Sequence, residues 1–271
     1  MIIDAHAHPV FAGMPFHPGI HHLSEAYYSR KALEWTLSEF VKEMDRTGID
    51  KAILLTACWK GQPARQRNEA TAKFLSQYPE RLIGFGSFDP NTGGEAVSEI
   101  EHAIKGLRLA GVKAVAQNVE VFYNDPRCYP VYEKIQELGV PILFHTGPSF
   151  IQTRTKFGDP TTLDDVALDF PEMKIILAHM AMQGYMEAHS LLVRHRNVYA
   201  DLSFWPLHPS YRHLIPWSLL EETVPEKILM GSDFPVGTTP SETVEAVKSL
   251  PVSEKFKDQI LGKNAAKLLG L

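Results

Sequence analysis

The sequence predicts an α/β chain folded as a (β/α)8 TIM barrel, and three observations lead there. Short apolar runs alternate with amphipathic helical stretches, and eight such runs fit in the 271 residues. The runs (ILL, VKAVA, PILF, KIIL, KILM) are continuously apolar, as parallel strands buried on both faces are. Parallel strands also need a crossover between them, and the helical stretches supply it. A single domain over residues 1–271 accommodates the whole pattern, and no linker interrupts it. An open doubly wound sheet is the rival, but that fold usually carries a glycine-rich nucleotide loop. Neither GxGxxG nor GxxxxGK(S/T) occurs.

The elements follow in order. Met1–Ala5 is the first candidate strand. Residues 9–35 come next, the longest irregular stretch, and in a barrel this long loop sits over the C-terminal mouth. LSEFVKEMDRTG is helical and stops at Gly48, a favoured C-cap. Ala52–Thr56 is the second strand, and NEATAKFLSQYP after it ends at Pro79, which cannot continue a helix. Leu82–Phe88 precedes the helix AVSEIEHAIKGLRLAG, read as capped by Gly111. Val112–Gln117 precedes YPVYEKIQELG, capped by Gly139. Pro141–Phe144, Lys174–Ala178, Val198–Asp201 and Ile228–Met230 complete the set. TLDDVALDFP ends at Pro171, and SETVEAVKSL starts at Ser241 and Glu242 after Pro240. The tail KFKDQILGKNAAKLLGL reads as closing helices packed on the outside of the barrel.

A net charge of −5 gives no electrostatic footprint for nucleic acid, and no basic run suggests a membrane surface. No apolar run reaches the length of a transmembrane helix, and the N-terminus has no leader pattern. Cys58 and Cys128 are too few for a disulfide framework, so the cytoplasm is the expected compartment. Neither cysteine has a nearby His/Asp pattern to activate it, and no GxSxG is present.

The 12 histidines matter by position. In MIIDAHAHP, His6 and His8 are two apart, so on a strand they share a face, with Ala5 and Ala7 opposite. Taken alone, His-x-His at a loop mouth also fits two hydrogen-bonded histidines. But PILFHTG ends in His145, KIILAHM in His179 and KILMGSDFP in Asp233. Each polar residue follows an apolar run, where a barrel's packed interior gives way to its functional rim. Three or four imidazoles and a carboxylate on one rim form a borderline N/O donor set. It suits Zn²⁺ first, then Mn²⁺, Fe²⁺ or Co²⁺. Asp4 reads as structural.

DAHAHP, PILFHTG, KIILAHM, NVYADLS, KILMGSDFP and ILGKNAAKLLGL together resemble the amidohydrolase superfamily, in particular its aminocarboxymuconate-semialdehyde decarboxylase-like branch. The resemblance implies His6, His8, His145 and Asp233 as metal ligands. It makes Asp233 and His179 the catalytic pair, with His179 orienting substrate or water. Binuclear relatives carry a bridging lysine at the end of strand four. Here Lys113 is read at the start of that strand, too low to reach the mouth, while Gln117 and Asn118 occupy its end. One divalent ion is therefore implied.

Two reactions fit such a site. A metal-activated water could attack a small ester, lactone or amide, and hydrolysis is the main expectation, as the larger class in the superfamily. Decarboxylation of a small aromatic or unsaturated acid is the alternative, and a non-catalytic ligand-binding barrel is the third reading. The substrate is a small molecule. Its pocket is expected from Trp59, Phe122, Phe150 and Trp205, with Phe234 nearby. Arg65 or Arg154 would hold a carboxylate, and His17 would reach in from the first loop. Each aromatic taken singly also reads as packing. Barrels of this sort often pair through outer helices, so a homodimer is compatible with the chain.

Overall fold

The computed structural model describes residues 1–9, 35–149 and 153–271. Eight strands form one parallel sheet in the order β1 to β8. They are β1 Ile3–Ala7, β2 Lys51–Leu55, β3 Leu82–Ser87, β4 Gly111–Ala114, β5 Ile142–Phe144, β6 Ile175–Leu177, β7 Val198–Asp201 and β8 Ile228–Leu229. The β8 end returns to β1: Ala5 N donates to Met230 O at 2.8 Å and His8 N to Phe234 O at 2.7 Å. The barrel fold expected from the alternating pattern is the one observed. The loop at residues 10–34, with His17, lies outside the described residues, as does Phe150.

Alternation along each strand sorts side chains into two shells. Ile3, Ala5, Ile53, Leu55, Phe85, Leu143, Ile176 and Leu229 fill the barrel. Val112, Ala114, Ile142, Phe144, Ile175 and Leu177 face outward against the helices. Gly111 is not a helix cap but the first residue of β4. A Cβ there would lie 2.5 Å from Phe85 Cζ, so glycine is what lets the ring lie across the barrel floor.

The helices obey local chemistry. Helix α1 (Leu37–Thr47) carries a capping box between Thr36 and Glu39 and ends at a left-handed Gly48. The helix over Pro240–Lys248 starts slightly earlier than the sequence suggests. Thr239 is its N-cap and shares a capping box with Glu242, which leaves Pro240 at the first turn, where its missing N–H costs nothing. The tail divides its burial. Phe256, Ile260 and Leu261 join the outer shell, whereas Ala265 and Leu268 pack against the barrel interior from below. No described helix is long and apolar enough to cross a membrane.

Candidate metal centre

β1 contains an extra residue. Asp4 pairs with Ala52 but Ala7 pairs with Leu54, so the register slips by one between them. Such a bulge re-aims side chains. It explains why Ala5 faces the barrel interior with Ile3 while Ala7 joins the outer shell, where strict alternation puts Ala5 and Ala7 on one face opposite His6. His6 is fully buried at the rim. Asp4 locks this end of the strand: its carboxylate accepts from Ser232 N (2.9 Å), Ser232 Oγ (2.6 Å) and His6 N (3.2 Å). Gly231, before Ser232, can approach only as glycine, because a Cβ would lie 2.6 Å from His6 Cβ.

The loop after β8 brings Asp233 to His6 and His8. Asp233 has a left-handed backbone and its N–H donates to His6 O at 2.7 Å. Its Oδ1 lies 3.2 Å from His6 Nε2 and 2.9 Å from His8 Nε2. The other nitrogens fix the tautomers. His6 Nδ1 lies 2.8 Å from Asp201 Oδ2, and His8 Nδ1 lies 3.2 Å from Leu55 O. Both partners only accept, so each ring keeps a proton on Nδ1 and turns Nε2 toward Asp233. Two ring nitrogens and a carboxylate oxygen thus face one another, a donor set that a divalent cation can share.

His179 follows β6 in a left-handed turn that runs from His179 to Met182. Its N–H donates to Asp201 Oδ1 at 3.0 Å and its Nδ1 donates to Ser203 Oγ at 2.8 Å. Ser203 in turn donates to Asp201 through a short contact. His179 Nε2 is left facing His145 Nδ1 at 3.3 Å. His145 follows β5 directly, its carbonyl held by Tyr123 OH at 2.6 Å, and its buried Nε2 has no hydrogen-bond partner among the described residues. One candidate ligand atom each from His6, His179 and Asp233 falls within a 4.8 Å group. The sequence-derived residues His6, His8, His145, His179 and Asp233 therefore share one rim.

The electrostatics suit a metal site. Burial would raise Asp233, but hydrogen bonds from His6 and His8 hold it well below the usual carboxylate range. Burial would likewise raise Asp201, and the charge and hydrogen bond of His6 overcome it. Burial lowers His8, pushes His179 down to about 4 and takes His145 well below the ordinary imidazole value. For His6 the effect of burial is reversed by Asp201, and its value rises.

Sequence reasoning missed Asp201 and Ser203. Asp201 ends β7 after an apolar run, the same signal that singled out the other rim residues. In Asp201→Asn the remaining oxygen stays with its donors from His179 and Ser203, so an amide NH₂ replaces the acceptor that orients His6. We expect metal affinity to fall about 10–100-fold, read by titration of the metal-free protein with Mn²⁺.

Several pocket candidates are placed differently. Arg65 lies in the first turn of the helix over Ala64–Leu75, half exposed, with Nε 3.2 Å from Glu99 Oε2. Its charge is thus engaged on the outer layer. Phe234 is core packing, stacked on Phe40 and edge-on to Trp35. Trp59 is buried after β2. Phe122 packs on Phe157 beneath Lys156, and Trp205 packs on Phe204 and Tyr211. Gln117 and Asn118 belong to a short helix over Ala116–Val119, not to β4. They tie the rim together: Gln117 Nε2 donates to Gly147 O and Asn118 Nδ2 to Cys58 O. Burial pushes the Cys58 and Cys128 thiols up to about 12, so neither is a nucleophile.

A parallel barrel with imidazoles and a carboxylate gathered at its C-terminal rim defines the class. The chain matches the Amidohydro_2 amidohydrolase family over residues 3–271 and belongs to that family. It is 25% identical to a 2-amino-3-carboxymuconate-6-semialdehyde decarboxylase of Dictyostelium discoideum, over 88% of this chain and 77% of that one. Among solved structures, it resembles 5-carboxyvanillate decarboxylase from Sphingomonas paucimobilis (TM-score 0.73, 20% identity, 100% and 99% of the two chains). It also resembles a dihydroxybenzoic acid decarboxylase from a Polaromonas species, solved with manganese and 2-nitroresorcinol (TM-score 0.74, 18% identity, 100% and 97%).

Proposed function

We propose that this chain is a metal-dependent decarboxylase of a small aromatic or unsaturated carboxylic acid. The metal reading rests above all on one observation: the Nε2 atoms of His6 and His8 both face Asp233 Oδ1. The reaction class rests on the relatives. Hydrolysis is the sequence expectation only because it is the larger class in the superfamily, since the same residues serve both reactions, and the relatives named above are decarboxylases. They favour the alternative.

His6, His8, Asp233 and His145 would hold a single divalent ion. His145 brings a buried, unpartnered Nε2. Imidazole and carboxylate suit Zn²⁺ and Mn²⁺ alike, and the Polaromonas relative holds manganese. When bound, such an ion acts as a Lewis acid that orients and polarises substrate oxygens. Asp201 and Ser203 keep His6 and His179 in one tautomer. His179, whose value burial lowers, is neutral at neutral pH and leaves Nε2 free to accept a proton. It takes the proton of an acidic substrate group, such as a phenol. As the C–C bond breaks, CO₂ leaves and the electron pair stays on carbon. His179 then returns the proton to that carbon, and the phenolate left behind takes a proton from solvent on release. Trp59, Phe122 and Trp205 are proposed to flank the planar substrate.

The test is a panel of hydroxybenzoates, lactones and esters given to Mn²⁺- or Zn²⁺-loaded protein. CO₂ release with formation of the decarboxylated phenol is expected. Acid release from lactones or esters, with no CO₂ from any acid, would return the protein to the hydrolases.

A further inference from the structure

We propose that Lys113 is a positioning residue for this centre: a fixed, buried cation beneath the rim that steadies Asp201 and Asp233 in the metal-free protein and sets the affinity for divalent ions. The inference rests on the metal reading above. It corrects the expectation that Lys113 sits too low in the barrel to matter. β4 ends at Ala114, three residues earlier than the sequence suggested, so Lys113 is its penultimate residue. Val112 and Ala114 face the outer shell, and the lysine between them enters the barrel. Its register partners are Ser87 on β3 and Leu143 on β5, and Leu143 belongs to the interior cluster.

Lys113 is fully buried, and its Nζ has no hydrogen-bond partner among the described residues. The same holds for the Oγ of neighbouring Ser87. A lysine is almost never buried this way unless a charge compensates it. Here the compensation comes from Asp201 and Asp233, whose fields favour the ammonium. In return its charge acts on His6, His8, His145 and His179. Burial lowers the ammonium to about 8, so it remains mostly protonated at neutral pH in the metal-free protein. The ammonium and a divalent ion therefore both draw on the charge of Asp233. The lysine steadies the empty arrangement and opposes the incoming cation.

Lys113→Met, nearly the same length without the charge, separates the two effects. Titration calorimetry with Mn²⁺ should show binding tightened at least about tenfold. The metal-free variant should unfold at a lower temperature, and Mn²⁺ should raise its Tm by more than in the wild type. A lysine with a merely structural role would lower Tm equally with and without Mn²⁺. Unchanged or weaker Mn²⁺ binding overturns the proposal. If Lys113→Met and Lys113→Gln fold only when Mn²⁺ is supplied, the ion has replaced the lost cation, as proposed. If neither folds even then, the proposal fails. No turnover is read, so an error in the reaction class leaves this result untouched. A wild-type chain that binds no Mn²⁺ would remove the centre itself and this inference with it.

Discussion

Asp233→Asn should reduce turnover by at least about three orders of magnitude while leaving the fold intact, more than loss of an outer partner would give. The reason lies in the lone pairs. In the native chain Asp233 Oδ1 faces Nε2 of both His6 and His8, three atoms that can each give a lone pair to an ion. An asparagine amide carries two N–H donors, so it would satisfy the histidines directly. The site would close on itself without an ion, and the negative charge that attracts one would be gone. We therefore expect the metal-free variant to unfold at a temperature close to the wild type's, because the new hydrogen bonds to the histidines offset the charge lost beside Lys113. Metal content after purification and thermal unfolding measure the two halves of this expectation. Turnover within tenfold of wild type would show that Asp233 is not a ligand.

His179→Ala should lower turnover about 10²–10⁴-fold, the usual contribution of a positioned acid–base group, with metal content largely retained. His179 is held on one side by Ser203 and Asp201, which leaves Nε2 facing the rim. The neighbouring donors His6, His8 and Asp233 remain when it is removed. Free imidazole should restore part of the activity, because the substitution leaves a cavity of the ring's shape at a site that needs only the base. Since a His179 nitrogen also falls in the same 4.8 Å group as His6 and Asp233, the split between turnover and metal is informative. Parallel loss of both would make His179 a ligand.

The barrel was legible because strands buried on both faces leave continuous apolar runs, and the rim residues because a polar side chain directly after such a run stands out. What escaped depends on register and on distant partners. The β1 bulge adds one residue to an otherwise regular alternation, so Ala5 was placed on the wrong face. β4 was extended to Gln117, although the chain turns into a short helix at Ala116. That error hid Lys113, whose significance comes from carboxylates on β7 and after β8. Asp201 and Ser203 matter through His6 and His179, residues far away in the chain. Arg65 looked like a loop cation until the helix after Pro63 turned it toward Glu99. Phe234 looked like a pocket wall, but it stacks on Phe40.

The central claim is that one divalent ion sits where these side chains converge. Anomalous diffraction from crystals of Mn²⁺-loaded protein measures it most directly. The account predicts a single strong peak per chain, within coordination distance of Asp233 and the Nε2 atoms of His6 and His8. A peak elsewhere, or none in protein that still turns over with Mn²⁺ removed, would contradict it.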